Sequence, residues 1–67
     1  MRKSRRINLR VARIKKDLSQ KKLAEKLGVT SQAISDMERG VYNPSYDTMM
    51  KISKELETSV DELFFRD

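Results

Sequence analysis

Apolar side chains recur along this chain at intervals of three and four residues, which is the spacing of one face of an α-helix. The pattern predicts helices at about residues 6–17, 20–27, 31–39 and 46–56, with a fifth, short helix after Ser59. No segment alternates between apolar and polar positions over a length that suits a strand, so we predict an all-α fold. The inner positions are Leu9, Ala12, Leu23, Ala24, Leu27, Val29, Ala33, Ile34, Met37, Met49, Ile52, Ser53, Leu56, Val60, Leu63 and Phe64.

Residues that start and stop helices mark the boundaries of the second and third helices. Ser19 and Thr30 precede the two apolar runs and can cap them, and Gly28 lies where the first run must end and turn. Two short helices joined by such a tight turn form a helix-turn-helix, here residues 19–40. This unit lays its second helix into the major groove of DNA.

The C-terminal part of the chain carries similar signals. Pro44 ends an irregular stretch, because the residue before a proline is disfavoured in the helical region. Ser45 can cap the fourth helix, and Ser59 with Glu62 has the spacing of a capping box. Since no repeat, low-complexity tract or linker interrupts the 67 residues, we expect one domain over 1–67. Its parts would be a basic N-terminal arm at 1–6, the helix-turn-helix at 19–40 and C-terminal helices at 45–66.

The composition excludes several kinds of chemistry, because the chain contains neither cysteine nor histidine. Disulfides, zinc fingers and catalytic pairs built on these residues are absent, and we expect no metal and no cofactor. Acidic neighbours such as Asp61 and Glu62 are better explained as charges at a helix start, so we expect no enzyme. No apolar run has the length of a membrane span or follows the basic N-terminus, which predicts a soluble, cytoplasmic, nucleoid-associated protein.

Positive charge is concentrated in the first half of the chain. Residues 1–30 hold 11 Lys or Arg and 2 Asp or Glu, whereas residues 31–67 hold 4 basic and 8 acidic residues. Such charges can serve only to solvate helix faces, but they also attract a polyanion to one side of the molecule. Lys21 and Lys22 favour the second interpretation, because they lie in the first turn of a helix, where a cation opposes the helix dipole. A phosphate bound there would turn this penalty into an attraction.

Small and amide-bearing side chains occupy the outward face of the third helix. Gln32 can form two hydrogen bonds with adenine, and short serine side chains permit close approach to base edges. Phosphates repel an acid, so Asp36 either accepts from a cytosine amino group or disfavours wrong sequences. A solvated polar face is the alternative. We predict base contacts from Ser31, Gln32, Ser35 and Asp36.

Short motifs between residues 9 and 64 match one known pattern. They are Leu9, Ala12-Arg13, Leu18-Ser19-Gln20, Leu23-Ala24, Leu27-Gly28-Val29, Ile34-Ser35, Met37-Glu38-Arg39-Gly40, Asn43-Pro44-Ser45 and Val60-Asp61-Glu62-Leu63-Phe64. In these motifs the chain resembles the phage-repressor and Cro-like, or XRE-type, helix-turn-helix family of prokaryotic regulators. The resemblance implies a compact five-helix, lambda-repressor-like DNA-binding domain. Glu57-Thr58 departs from the family, which commonly has a small or apolar turn after the fourth helix.

The resemblance also implies roles for single residues. Gln20, at the start of the second helix, would contact a phosphate, and the segment with Arg39, Val41 and Asn43 would hold the DNA backbone. In similar proteins Ser31, Gln32 and Asp36 correspond to residues that face bases. Together with the charge argument, this predicts DNA backbone contacts from Gln20, Lys21, Lys22, Arg39 and Asn43.

Arg13 and Glu38 match a pair that forms an ion pair in the family and links the first helix to the recognition helix. The helical spacing supports this independently, because it places Arg13 on the inner face of the first helix and Glu38 at the border of the inner face of the third. We expect a structural role for the pair. Such a pair adds little net stability over apolar residues, but removing one partner leaves a buried charge.

Some apolar residues are in excess of what a domain of this size can bury. Ile7, Val11 and Ile14 form a second apolar stripe on the first helix. Either the terminal segments of the chain cover this stripe, or the stripe contacts a partner chain. The chain also ends in a run of large apolar residues. We predict a homodimer with an interface of Leu63, Phe64 and Phe65.

The sequence thus predicts a transcriptional regulator that binds double-stranded DNA sequence-specifically, as a homodimer on a pseudo-palindromic operator. A repressor is expected, since no activating or effector segment is visible. The alternative is a small antitoxin-like interaction module that binds a partner through the first-helix stripe and also binds DNA. A nonspecific nucleic-acid chaperone fits the charge, but the chain has few aromatic residues for stacking on bases. The sequence identifies no site for a small-molecule effector.

Overall fold

A computed structural model describes residues 6–66, which form five α-helices and, within that range, no strand. The helices are α1 (Ile7–Lys15), α2 (Gln20–Leu27), α3 (Ser31–Glu38), α4 (Tyr46–Leu56) and α5 (Val60–Phe64). The predicted all-α, five-helix fold is confirmed. Residues 1–5 of the predicted arm and residue 67 lie outside the described residues, and a single domain over 1–67 stays a prediction.

Four of the helices begin at a capping side chain. In each, a Ser or Thr hydroxyl oxygen accepts the backbone N–H three residues later, at 3.0 to 3.3 Å. The pairs of cap and donor are Ser19 and Lys22, Thr30 and Ala33, Ser45 and Thr48, and Ser59 and Glu62. Each bond satisfies one of the free N–H groups at a helix start and stabilises the helix by about 1 kcal/mol.

Two helices are shorter than the sequence pattern predicts. α1 ends at Lys15 rather than at residue 17. Asp17 cannot be part of the helix, because its φ of 59° is left-handed whereas an α-helix requires a negative φ. α3 ends one residue early, at Glu38, because Gly40 reverses the chain with a φ of 78°. None of the helices between residues 6 and 66 is long and apolar enough to cross a membrane.

The turn between α2 and α3 depends on Gly28. Its φ of 73° lies in the left-handed region, which costs a residue with a Cβ roughly 1 to 2 kcal/mol. This conformation lets the Val29 N–H donate to the Ala24 carbonyl at 3.0 Å, so that the end of α2 closes in a Schellman motif. Only three residues then separate α2 from α3, which fixes the crossing of the two helices.

One hydrophobic core joins the five helices. α1 packs against α3 and α5, and α4 packs against α2 and α5. The buried apolar residues are Leu9, Ala12, Leu23, Ala24, Ile34, Met37, Met49, Ile52, Leu56, Leu63 and Phe64. Among the other predicted inner positions, Leu27, Val29, Ala33 and Val60 are partly buried, as is Ser53, whose hydroxyl donates to the Thr58 carbonyl at 2.6 Å.

The dimer interface stays a prediction, but two of its three predicted residues are buried within the chain. Leu63 is fully buried and Phe64 is 8% exposed, since both belong to the hydrophobic core of the chain. They offer no surface to a second chain. α5 ends at Phe64, and Phe65 remains 65% exposed. Of the three, only Phe65 is available to a partner.

The second apolar stripe of α1 stays on the surface. Ile7, Val11 and Ile14 are all exposed. Asn8 Nδ2 donates to the Glu62 and Arg66 carbonyls at 3.1 and 3.3 Å, which fastens α1 to α5 beside the stripe without covering it. The described part of the C-terminal segment therefore leaves this face open to solvent.

The turn after α4 is closed by Glu57 in the left-handed conformation, with a φ of 53°. The Thr58 N–H donates to the Ser53 carbonyl at 3.2 Å, and the Thr58 hydroxyl donates to the Leu56 carbonyl at 3.0 Å. The Glu57 carboxylate lies 3.0 Å from Lys16 Nζ. Although the sequence departs from the family here, the chain makes a regular helix end with a residue that has a Cβ.

Candidate nucleic-acid interface

The outward face of α3 carries the four side chains predicted to contact bases. Ser31 and Gln32 are exposed, whereas Ser35 and Asp36 are half-buried. On the opposite face of the helix, Ile34 is 1% exposed and anchors α3 in the core. The structure therefore places the predicted set together on one available face, and their contact with bases stays a prediction.

Hydrogen bonds connect three side chains along this face. Asp36 Oδ1 accepts from Gln32 Nε2 at 3.0 Å and from the Arg39 guanidinium. The bond from Arg39, followed by that from Gln32, lowers the pKa of the Asp36 carboxyl below its ordinary value, so this group is a carboxylate at neutral pH. Sequence reasoning placed these residues on one surface but missed their connection. The signal was their spacing of three and four residues, at which helical side chains meet.

Glu38 connects the three N-terminal helices. Its carboxylate accepts from Arg13 Nε at 2.6 Å, from Arg13 Nη2 at 3.3 Å and from Gln20 Nε2 at 3.1 Å. Arg13 Nη1 donates in addition to the Leu18 carbonyl at 2.6 Å. Both charged residues are buried, and no buried side-chain nitrogen or oxygen among residues 6–66 lacks a partner. The orientation of α3 relative to α1 and α2 is therefore set by a fully bonded polar network.

The first turn of α2 is basic. Lys21 and Lys22 are exposed, and this turn contains no acidic residue. Lys22 Nζ lies 3.9 Å from Glu25 Oε1, but both side chains are exposed, and such a pair binds weakly. Gln20, which the resemblance assigns to a phosphate, uses one amide N–H for Glu38 and keeps the other. The start of α2 thus offers two cations and an amide donor.

Arg6, the last residue of the predicted basic arm over residues 1–6, is hydrogen-bonded to α3 and to the loop that follows it. Its guanidinium donates to the Met37 carbonyl at 2.8 Å, to the Tyr42 carbonyl at 3.0 Å and to Asn43 Oδ1. It also lies 5.3 Å from the centre of the Phe64 ring, at the distance of a cation–π contact. Partial burial lowers the pKa of Arg6 from its ordinary value, and three acceptors offset the cost of desolvation. Sequence reasoning missed these bonds.

The loop between α3 and α4 carries two of the predicted backbone-contacting residues. Asn43 is exposed, and because its Oδ1 accepts from Arg6, its Nδ2 is the atom that can donate to a phosphate. Arg39 is also exposed, and its guanidinium is shared with Asp36. Arg6 holds this loop at two points, so its residues have fixed positions beside α3.

A groove of about 460 Å³ lies between the N-terminal part of α1 and the side of α3. Arg10, Gln20, Ser35 and Arg39 are among the residues that line it. Arg10 was not among the predicted backbone contacts, although it is an exposed cation. The signal available in the sequence was its place one turn before Arg13, on the side of α1 that faces α3.

Residues 9–63 match the sequence pattern of a known family whose description is helix-turn-helix. The chain belongs to the helix-turn-helix family. The match covers the network around Glu38, the face of α3 and the loop that follows it. The resemblance to XRE-type regulators is thereby confirmed.

Individual relatives of this helix-turn-helix domain are regulators by name. It is 41% identical over 56 residues to the HTH-type transcriptional regulator YqaE of Bacillus subtilis, which covers 84% of this chain and 48% of the relative. An HTH-type transcriptional regulator of Archaeoglobus fulgidus is 36% identical over 62 residues, which cover 92% of this chain and 89% of the relative. The chain therefore spans about half the length of YqaE and nearly all of the archaeal relative.

The same fold is found in solved structures. The restriction-modification controller protein C.AhdI from Aeromonas hydrophila matches with a TM-score of 0.74 and 35% sequence identity. The match covers 85% of this chain and 83% of that protein. A hypothetical transcription factor, NHTF from Neisseria, has the same TM-score at 28% identity. The fold of this chain is thus shared with both solved proteins.

Proposed function

We propose that this helix-turn-helix domain binds double-stranded DNA sequence-specifically and represses transcription as a homodimer on a pseudo-palindromic operator. The observation that carries the proposal is the outward face of α3, where Ser31 and Gln32 are exposed. The basic start of α2 is joined to the end of α3 by the hydrogen bond from Gln20 to Glu38. Base edges in the major groove are read by such short or amide-bearing side chains, and phosphates are held by adjacent cations. Binding of this kind would place the protein on the nucleoid.

Repression follows from occupancy of the DNA. A protein bound across a promoter excludes the polymerase without any further part, so the DNA-binding surface is sufficient for this activity. The names of the regulators from Bacillus subtilis and Archaeoglobus fulgidus support a role in transcription.

Two copies are needed to recognise one site among many. α3 has eight residues and reaches only a few base pairs, which is too little information to select an operator in a genome. Helix-turn-helix dimers place their recognition helices about 34 Å apart, in successive major grooves. We therefore expect half-sites with centres about 10 base pairs apart. Phe65 is the most exposed large apolar residue of the described chain and is our candidate for the centre of the interface.

Selection from a pool of random duplexes tests sequence-specific binding. We expect the wild type to enrich a pseudo-palindrome and to bind it about 10³-fold or more tightly than a scrambled duplex at the same salt concentration. The control is Gln32→Ala, which should lose preference at one base pair of each half-site. Equal affinity of the wild type for all duplexes contradicts the proposal.

Sedimentation tests the assembly. We expect a dimer at micromolar concentration, and we expect Phe65→Glu to give a helical monomer with reduced operator affinity. Ile14→Glu is the matched control, because it places the same charge on another exposed apolar position, on α1. A monomeric wild type contradicts the dimer, and loss of the dimer in the Ile14→Glu variant alone moves the interface to α1.

A protein-interaction module is the second candidate function, and the exposure of the α1 stripe favours it. Ile14 is 53% exposed with no cover from the described C-terminal segment, as expected for a surface that meets a partner. The two functions differ in their DNA binding. A module of this kind would bind DNA without selecting a sequence, so the random-duplex selection would enrich none, whereas the repressor predicts one operator.

A further inference from the structure

We propose that Asp36 is a positioning residue on the recognition helix, which orients the Gln32 amide to read adenine and restrains Arg39 from nonspecific attraction to phosphates. The inference rests on the proposed function, because it concerns how the same face of α3 selects a base. It changes the role of Asp36 from a direct base contact to a residue that acts through its two neighbours.

The orientation of the Gln32 amide follows from chemistry. A carboxylate only accepts hydrogen bonds, and within the amide only Nε2 donates, so Nε2 is the atom that faces Asp36 Oδ1 at 3.0 Å. One N–H and the carbonyl oxygen Oε1 remain. These are the donor and the acceptor that pair with N7 and the N6 amino group of adenine in the major groove. With its amide turned over, Gln32 would lose the hydrogen bond to Asp36.

The environment of Asp36 supports a role that acts through its neighbours. Its Oδ1 already accepts from Gln32 and Arg39, and the residue is half-buried on the face of α3. These partners lie about one turn before it and one turn after it along the chain. The hydrogen bonds keep the pKa of the carboxyl low, so its negative charge is present at neutral pH. That charge repels the DNA phosphates instead of attracting them.

Arg39 gives the second half of the role. Its guanidinium forms an ion pair with Asp36, and both side chains are partly open to water. An arginine held in this way is less free to bind phosphates of any sequence. Asp36 thus lowers the affinity for scrambled DNA and improves the discrimination between bases. A residue that only stabilises the fold would produce neither of these effects.

The experiment is a double-mutant cycle on base discrimination. Selection with the wild type and with Gln32→Ala first identifies the base pair that Gln32 reads, for which we expect adenine. The affinity for that duplex is then divided by the affinity for the duplex with guanine at the same position, in the wild type, Asp36→Ala, Gln32→Ala and the double variant. We expect Asp36→Ala to lower this ratio about 5-fold or more in the presence of Gln32, and less than about 2-fold in its absence.

Affinity for scrambled DNA gives an independent readout. We expect it to rise in Asp36→Ala, with a slope of log K against log salt that is steeper by up to about one unit, because Arg39 is released. Asp36→Asn keeps an acceptor oxygen but has no charge, so it should show the same rise with a smaller loss of discrimination. Glu55→Ala removes one negative charge from α4 and is the matched control. Its contact with Lys26 is exposed, 4.0 Å long and weak, so we expect neither effect.

The outcomes separate the two levels of the proposal. Equal losses of discrimination from Asp36→Ala with and without Gln32 overturn the positioning role, as does a scrambled-DNA affinity that falls or stays the same. A wild type that prefers no base at any position overturns the proposed function itself, and this role with it. Circular dichroism confirms that each variant is helical, and Asp36→Asn carries the test if Asp36→Ala does not fold.

Discussion

Arg13 and Glu38 are joined by two hydrogen bonds, of 2.6 and 3.3 Å, between the later half of α1 and the last residue of α3. Both residues are less than 10% exposed, and Gln20 donates a third hydrogen bond to the same carboxylate. A charge in such surroundings requires a partner, since its desolvation is otherwise uncompensated. These bonds therefore fix α3 against the two helices that precede it.

We expect Glu38→Ala to lower the free energy of unfolding by about 3 to 5 kcal/mol, because it leaves the Arg13 guanidinium buried without its counter-ion. Urea denaturation followed by circular dichroism measures this loss. The double variant Arg13→Met with Glu38→Leu is the control, and it should recover most of the stability by replacing both charges with apolar groups. A loss of less than about 1 kcal/mol in Glu38→Ala would show that the pair is not buried in solution.

A second prediction concerns Lys21 and Lys22, two cations at a helix end that disfavours them. If they hold phosphates, Lys21→Gln and Lys22→Gln should weaken binding to operator and scrambled DNA equally. The slope of log K against log salt should become shallower by about one unit for each lysine–phosphate pair that a variant removes. Lys54→Gln, on α4, is the matched control with no expected effect. Unchanged slopes in both α2 variants would leave these lysines as solvated surface charges.

Glu57 provides a prediction on stability alone. Its left-handed φ of 53° costs a residue with a Cβ about 1 kcal/mol, so we expect Glu57→Gly to raise the free energy of unfolding by up to that amount. Glu57→Ala is the control, because it keeps the backbone strain and removes only the ion pair with Lys16, which is exposed and weak. Thermal denaturation measures both variants. A destabilised Glu57→Gly would mean that the carboxylate contributes more than the strain costs.

The Asp36 carboxyl gives a prediction on pH. Its pKa is lower in the folded protein than in the unfolded chain because Arg39 and Gln32 donate hydrogen bonds to the carboxylate. Its contribution to stability is therefore fully present above the unfolded pKa of about 3.9 and disappears as the pH falls through the lower folded value. Arg39→Ala should raise this pKa toward its ordinary value, as measured by carboxyl NMR titration. Arg66→Ala, near the C-terminal end of the chain, should leave it unchanged.

Local signals predicted most of the fold. The capping residues, among them Ser19 and Thr30, act within three positions of themselves, and Gly28 acts through its own φ. Apolar spacing placed Ile34 in the core because the helical period determines which face of an element is buried. The surface of α3 follows from the same period, since the face opposite the core is the face presented to solvent.

Bonds between distant parts of the chain were not predictable in this way. Arg6 binds carbonyls 31 and 36 positions away, and nothing in the residues around it indicates those acceptors. The run from Leu63 to Phe65 does not show which of its members is buried until the end of α5 is known. The hydrogen bonds of Asp36 depend on rotamers, which spacing permits but does not determine.

Chemical-shift mapping of the amide resonances during titration with the selected duplex tests most directly whether α3 reads DNA. We predict that the largest changes fall in residues 20–22, 31–36 and 39–43, and that they are smaller and differently distributed with a scrambled duplex. The α1 stripe at Ile7, Val11 and Ile14 should change little. Changes centred on that stripe or on α5, with α3 unaffected, would contradict the assignment of α3 as the DNA-reading helix.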